Sequence, residues 1–215
     1  MKVYFDNAAT TKVRDEVIDE ISSVLKNCFG NPSSTHSFGR SAKTYIETSR
    51  KSVAKILNCE PGEIIFNSGG TESVHNIVGM TKALEIAVEK MDRETTYVSS
   101  IKKYMIDNLT SLFPKIHFNG ESGDMNNSTY TVLNVCFPIS NDKAAMLDFQ
   151  LDLKGIACSK GSACQSGSSE GSHVLSEIQN DSQKTLPSVR FSFSHNNKKE
   201  EVDYLIETLK EFIDS

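Results

Sequence analysis

A chain of 215 residues can bury a sizeable core, as one large domain or two small ones. Its composition, 38% hydrophobic and 24% charged, is that of an ordinary globular protein, and a net charge of -5 argues against nucleic acid as a main partner. No apolar run approaches membrane-spanning length and the first six residues turn acidic too early for a signal peptide, so a cytoplasmic protein is expected.

Val3-Tyr4-Phe5 reads as a short strand running into the polar turn Asp6-Asn7-Ala8-Ala9-Thr10-Thr11. Val17, Ile18, Ile21, Val24, Leu25 and Cys28 repeat at helical spacing over residues 14–28, until Gly30-Asn31-Pro32 stops the pattern. A second amphipathic helix is expected over 38–57, with Phe38, Ala42, Tyr45, Ile46, Val53 and Ile56 on its apolar side. Ile64-Ile65-Phe66 then reads as a brief buried strand before the turn Ser68-Gly69-Gly70-Thr71. Such a turn is either an ordinary tight turn or, with free N–H groups at a helix start, a phosphate cradle.

A helical repeat from Val74 to Met91 is interrupted by Asp92-Arg93-Glu94-Thr95-Thr96, and another helix follows as far as Phe113-Pro114. The pattern beyond is α+β. Residues 115–118 and 129–137 read as strands, and 142–151 as a helix with Ala145, Met146 and Phe149 apolar. A Gly/Ser-rich stretch, Gly155 to Gly167, carries Cys158 and Cys164. Spacing alone leaves these as either a reactive pair of positions or a core filler and an incidental thiol. A short helix opens at Gly171-Ser172-His173. The strand 188–194 alternates, with Val189, Phe191 and Phe193 inward and Arg190, Ser192 and Ser194 outward. Asn197-Lys198-Lys199-Glu200 has the form of a capping box for a last helix built on Val202, Leu205, Ile206, Leu209, Phe212 and Ile213. The five cysteines are odd in number and scattered, without a Cys-x-x-Cys pair, so neither a disulfide framework nor a metal site is expected. Cys28, Cys59 and Cys136 fall on apolar faces, where packing is their expected fate.

Five segments taken together resemble the cysteine desulfurases. They are Phe5 to Thr11, Gly30-Asn31-Pro32-Ser33-Ser34-Thr35-His36, Phe66 to Ser73, Gly161-Ser162-Ala163-Cys164 and Val189-Arg190-Phe191-Ser192. These are pyridoxal-phosphate enzymes of the class V aminotransferase group that supply sulfur for iron–sulfur cluster assembly. The Gly-Ser-Ala-Cys form is similar to the subgroup with its cysteine on a long loop. The resemblance implies that Cys164 takes the sulfur as a persulfide and Arg190 clamps the substrate carboxylate, a task suited to a bidentate fork. It further implies that Asn7 and Ala8 border the substrate L-cysteine and that Gly70 and Thr71 hold the cofactor phosphate. His36 is expected to make a structural hydrogen bond. An iron–sulfur scaffold or sulfur acceptor, and a homodimer, are the partners the family suggests.

The same resemblance exposes a gap. The chain has no His-Lys dipeptide for the Schiff base and no Asp-x-x-Gln for the pyridine nitrogen. Residues 71–80 read like two distant family motifs spliced at a shared Gly-Thr-Glu. The fold expected is therefore α/β: residues 1–73 hold the N-terminal strand and a remnant of the large, aspartate-aminotransferase-like cofactor domain. Residues 74–215 hold the connecting helix and a PLP-transferase-like small domain, α+β in character. The function implied is cysteine desulfurase-like but catalytically incomplete, with covalent pyridoxal phosphate doubtful. A sulfur-relay adaptor, or a non-functional deletion product, is the alternative.

Overall fold

The computed structural model describes residues 1–67, 73–139, 141–159 and 172–214. They divide into two compact units, Met1–Thr11 with Asp92–Ser215, and Lys12–Met91.

In the second of these, α1 (Asp15–Asn27) and α2 (Ser37–Leu57) pack with the opening turns of α3 (Val74–Leu112). Val24, Ala42, Ile46, Val74, Ile77 and Val78 form the core, with Cys28 and Tyr45 against it. Asp15 and Glu16 in its first turn and Lys26 in its last give α1 charges that favour the helix dipole. His36 caps α2, its Nδ1 accepting from the Gly39 N–H at 3.2 Å. Gly79 lets α1 approach α3 closely, since a Cβ there would stand 2.5 Å from Ile21 Cγ1. The segment Ile64-Ile65-Phe66 is not a strand. It is extended but unpaired, and Ile65 is 82% exposed, because the described residues of this unit offer no sheet for an apolar run to enter.

The other unit is built on two small sheets. β1 (Val3–Tyr4) runs parallel to β4 (Ile156–Ala157), with Val3 opposite Ile156. β2 (His117–Phe118), β3 (Val132–Cys136) and β5 (Ser188–Ser192) form an antiparallel sheet in the order β2-β3-β5. Isolated bridges between Asp6 and Ser192 and between Ser159 and Arg190 join the two. Alternation on β3 and β5 sends Leu133, Val135, Val189 and Phe191 wholly inward. There they meet Phe5, whose ring lies edge-on to Phe191 at 6.1 Å and to Phe193 at 5.7 Å. Val98, Ile101, Met105 and Leu109 of α3 and Val202, Leu205 and Leu209 of α7 (Lys199–Asp214) complete this core.

Three expectations need correction. The interruption at 92–96 does not break the helix, because Asp, Arg, Glu and Thr are tolerated in a helical turn and this stretch holds neither Gly nor Pro. On α4 (Asn141–Leu153) the buried residues are Leu147 and Leu151, whereas Met146 and Phe149 are 45% and 55% exposed. At the start of α7 the carboxylate that reaches back is Glu201, whose Oε2 accepts from the Lys198 N–H at 2.9 Å and from Asn197 Nδ2 at 3.1 Å. Among the described residues no helix is long and apolar enough to cross a membrane.

Candidate functional site

Arg190 lies on β5, where its backbone exchanges two hydrogen bonds with Ser159: N–H to Ser159 O at 2.7 Å and Ser159 N–H to Arg190 O at 3.2 Å. Its side chain is only 13% exposed. Nη2 donates to Asp6 Oδ1 at 3.1 Å, and the same oxygen accepts from Ser159 Oγ at 2.6 Å. Nε is buried and has no hydrogen-bond partner among the described residues. A guanidinium that already pairs with one carboxylate and keeps an unspent donor is chemically able to take a second.

Asn7 and Ala8 are brought beside this pair by the Asp6–Ser192 bridge. Their polar groups are engaged within the fold. Asn7 Nδ2 donates to Ser192 O at 3.0 Å and to Asn197 Oδ1 at 3.2 Å, and the Ala8 N–H donates to Ser192 Oγ at 2.8 Å. Asn197, 3% exposed, is the hub. It also donates to Tyr4 O at 2.8 Å, accepts from Ser194 N at 2.8 Å, and its carbonyl accepts from Tyr97 OH at 2.7 Å.

Cys158, at the end of β4, packs partly against the core. Burial first, and then the carboxylates of Asp148, Asp6 and Asp152, push its thiol up to about 12. It is therefore a neutral thiol at physiological pH and a poor nucleophile. Cys136 is also raised by burial. Lys102, wholly buried, gives its Nζ to Ser128 Oγ at 2.7 Å and Thr129 O at 2.8 Å, and burial lowers its pKa.

Cys164, Gly70 and Thr71 lie outside the described residues. Asn67 and Ser73, on either side of that Gly-rich segment of the sequence, border an open pocket of about 460 Å³ with Phe66, Ile77 and Met80. Among the described residues no group of three or more His, Cys, Asp or Glu side chains is gathered as a metal site. Sequence reasoning passed over Asp6, Ser159, Ser192 and Asn197. The first and third sit inside the motifs already singled out, and Ser159 follows Cys158, so position within a motif was the available signal.

The family profile of class-V aminotransferases matches residues 3–79 and, separately, 69–205. The chain belongs to that family, which depends on pyridoxal phosphate. It is similar to the cysteine desulfurase IscS of Dictyoglomus turgidum, at 33% identity over 145 residues covering 67% of this chain and 36% of that protein. The cysteine desulfurase IscS of Pseudoalteromonas translucida is 31% identical over 144 residues, 67% of this chain and 34% of that protein. A selenocysteine lyase of Rattus norvegicus is 46% identical over 80 residues, 37% of this chain and 18% of that one. The matched stretch thus spans about a third of the length of these desulfurases. Among solved structures, a NifS-like protein superposes with a TM-score of 0.81 at 18% identity over all of both chains. The NifS-like protein from Rickettsia africae ESF-5 gives 0.77 at 15%, again over all of both chains. At these identities the likeness is one of fold.

Proposed function

We propose that this chain is a cysteine desulfurase-like protein that cannot by itself convert L-cysteine to L-alanine and a persulfide. The observation that carries this is the double family match, whose two pieces overlap at residues 69–79. Two matches to one family that overlap along the chain, beside a desulfurase alignment that covers only 36% of the relative, are the pattern expected of a chain that lacks an internal segment. On this reading residues 1–73 are the N-terminal strand with the remnant of the cofactor domain, and 74–215 are the connecting helix and small domain.

The residues present do not fit covalent attachment of pyridoxal phosphate. The sequence lacks the Ser-x-His-Lys motif, and among the described residues the side chains bonded at Arg190 and Asp6 are a carboxylate and the Ser159 hydroxyl. Lys102 is sealed in the core and its ammonium already donates twice. What remains is substrate-facing and sulfur-carrying machinery. Arg190 is the carboxylate clamp, beside the turn of Asn7 and Ala8. Cys164 is the sulfur carrier, since Cys158 is held as a neutral thiol. Gly70 and Thr71 are the residues whose sequence matches the family's phosphate-holding motif. L-cysteine is the substrate class, an iron–sulfur scaffold or sulfur acceptor the partner class, and the cytoplasm the compartment.

Two measurements test this on the full chain. Incubated with pyridoxal phosphate and L-cysteine, it releases no alanine, and borohydride traps no stoichiometric adduct on a lysine. Incubated with a complete desulfurase and L-cysteine, it acquires persulfide on Cys164 and none on Cys158, read by mass spectrometry of alkylated peptides. Alanine released by the chain alone overturns the incompleteness; sulfur on Cys158 overturns the assignment of the carrier.

A further inference from the structure

Three stretches of chain distant in sequence converge on one carboxylate oxygen. Asp6 follows β1, Ser159 follows β4, and Arg190 sits in the middle of β5; Oδ1 of Asp6 accepts from both of the others. Its own stem is fixed. Phe5, wholly buried, donates its N–H to Ala157 O at 2.9 Å and accepts from the Ser192 N–H at 2.7 Å, so the carboxylate stands on backbone held from both sides.

The strand sets only the backbone of Arg190. Four side-chain torsions lie between that backbone and the guanidinium, and something must choose among their rotamers. Among the described residues Nε has no partner, which leaves the Nη2 contact to Asp6 as a polar restraint on the group. The same oxygen holds the hydroxyl of Ser159, the last described residue before the stretch that carries Cys164. Ser159 is tied a second time through its backbone to Arg190.

We propose that Asp6 is the positioning residue of the site. Through Oδ1 it orients the Arg190 guanidinium and holds the Ser159 hydroxyl, so one atom fixes the carboxylate clamp and the end of the β4 segment together. This rests on the reading of Arg190 and Cys164 given above. Asp6 touches neither substrate nor the reacting sulfur; it acts through Arg190 and Ser159.

The experiment uses the full chain, labelled with ¹⁵N. The guanidinium Nε–Hε and Nη resonances of Arg190 and the hydrogen exchange of the Ser159 amide are followed in the wild type, Asp6→Ala and Asp6→Asn. In D6A the Arg190 Nη signals average and the Ser159 amide exchanges about tenfold faster, while the core amides of Leu133 and Leu205 keep their protection. In D6N, which keeps an acceptor oxygen in place, Ser159 stays within about twofold of the wild type. A merely structural role raises exchange at Leu133, Leu205 and Ser159 alike, and that result overturns the proposal, as does a D6A spectrum with Arg190 and Ser159 unmoved. Should D6A not fold, Asp6→Glu decides. It retains the charge and displaces the oxygen by a methylene, so the Arg190 Nε–Hε resonance shifts if Asp6 orients the group and stays if it does not. A wild-type chain that takes no persulfide on Cys164 refutes the sulfur reading while leaving the Arg190 signals to judge Asp6 on their own.

Discussion

Cys158 and Cys164 stand six positions apart in one Gly/Ser-rich stretch, and the chemistry of Cys158 is set by its own surroundings. Its thiol, near 9 in an unfolded chain, is pushed up to about 12 by burial and by three carboxylates. At pH 7 both folded and unfolded states hold the proton, so the shift contributes nothing to stability there. Above about pH 9 the unfolded chain releases it while the folded one keeps it, and stability falls as pH rises toward 12. Cys158→Ala therefore flattens the loss of stability in urea melts between about pH 9 and pH 11. At pH 8, iodoacetamide labels Cys158 about a hundredfold more slowly than an ordinary exposed thiol; labelling at the ordinary rate would refute the raised thiol. The spacing of these cysteines is legible in the sequence, but the thiol's state is not. It depends on Asp6, Asp148 and Asp152, of which only the last two are near it along the chain. Arg190 is a parallel case. Alternation on β5 put it on the outward face, and the bridge to Ser159 then covered it to 13% exposure.

Elements were readable where period and burial agree. Val189, Phe191 and Phe193 face inward as their alternation indicates, and the apolar repeat of α7 buries Val202, Leu205 and Leu209. They were unreadable where a partner element decided the outcome. Ile64 to Phe66 has strand composition with no neighbouring strand, and on α4 the side that faces the core is set by what it packs against. The turn between α4 and β4 is a point where one residue type is required. Gly155 adopts φ +75°, and a Cβ there would lie 2.9 Å from Met1 O, next to the hydrogen bond from Val3 N–H to Gly155 O. Gly155→Ala thus strains the turn and crowds β1, at a cost of roughly 1–3 kcal/mol. The denaturant midpoint measures it, and an unchanged midpoint would show the turn to be more compliant than its backbone implies.

The two units are unequally equipped. Lys12–Met91 has a small core and leaves Ile18, Leu25, Phe29, Phe38, Leu57 and Ile65 exposed, whereas the other unit buries phenylalanines, leucines and valines from both sheets and three helices. Less apolar burial gives less stability. Thermal unfolding followed by hydrogen exchange should lose protection at Ile46 and Val53 before Leu133 and Phe191; a single concerted loss would contradict this. The pairing of Val3–Tyr4 with Ile156–Ala157 also bears on the order in which the protein can be made. The unit of Lys12–Met91 is contiguous, so it can assemble while the ribosome is still adding residues. The unit that holds Asp6 and Arg190 is discontinuous: its first strand must wait, unpaired, until more than 150 further residues have emerged, and the ion pair cannot close before the arginine itself is synthesised.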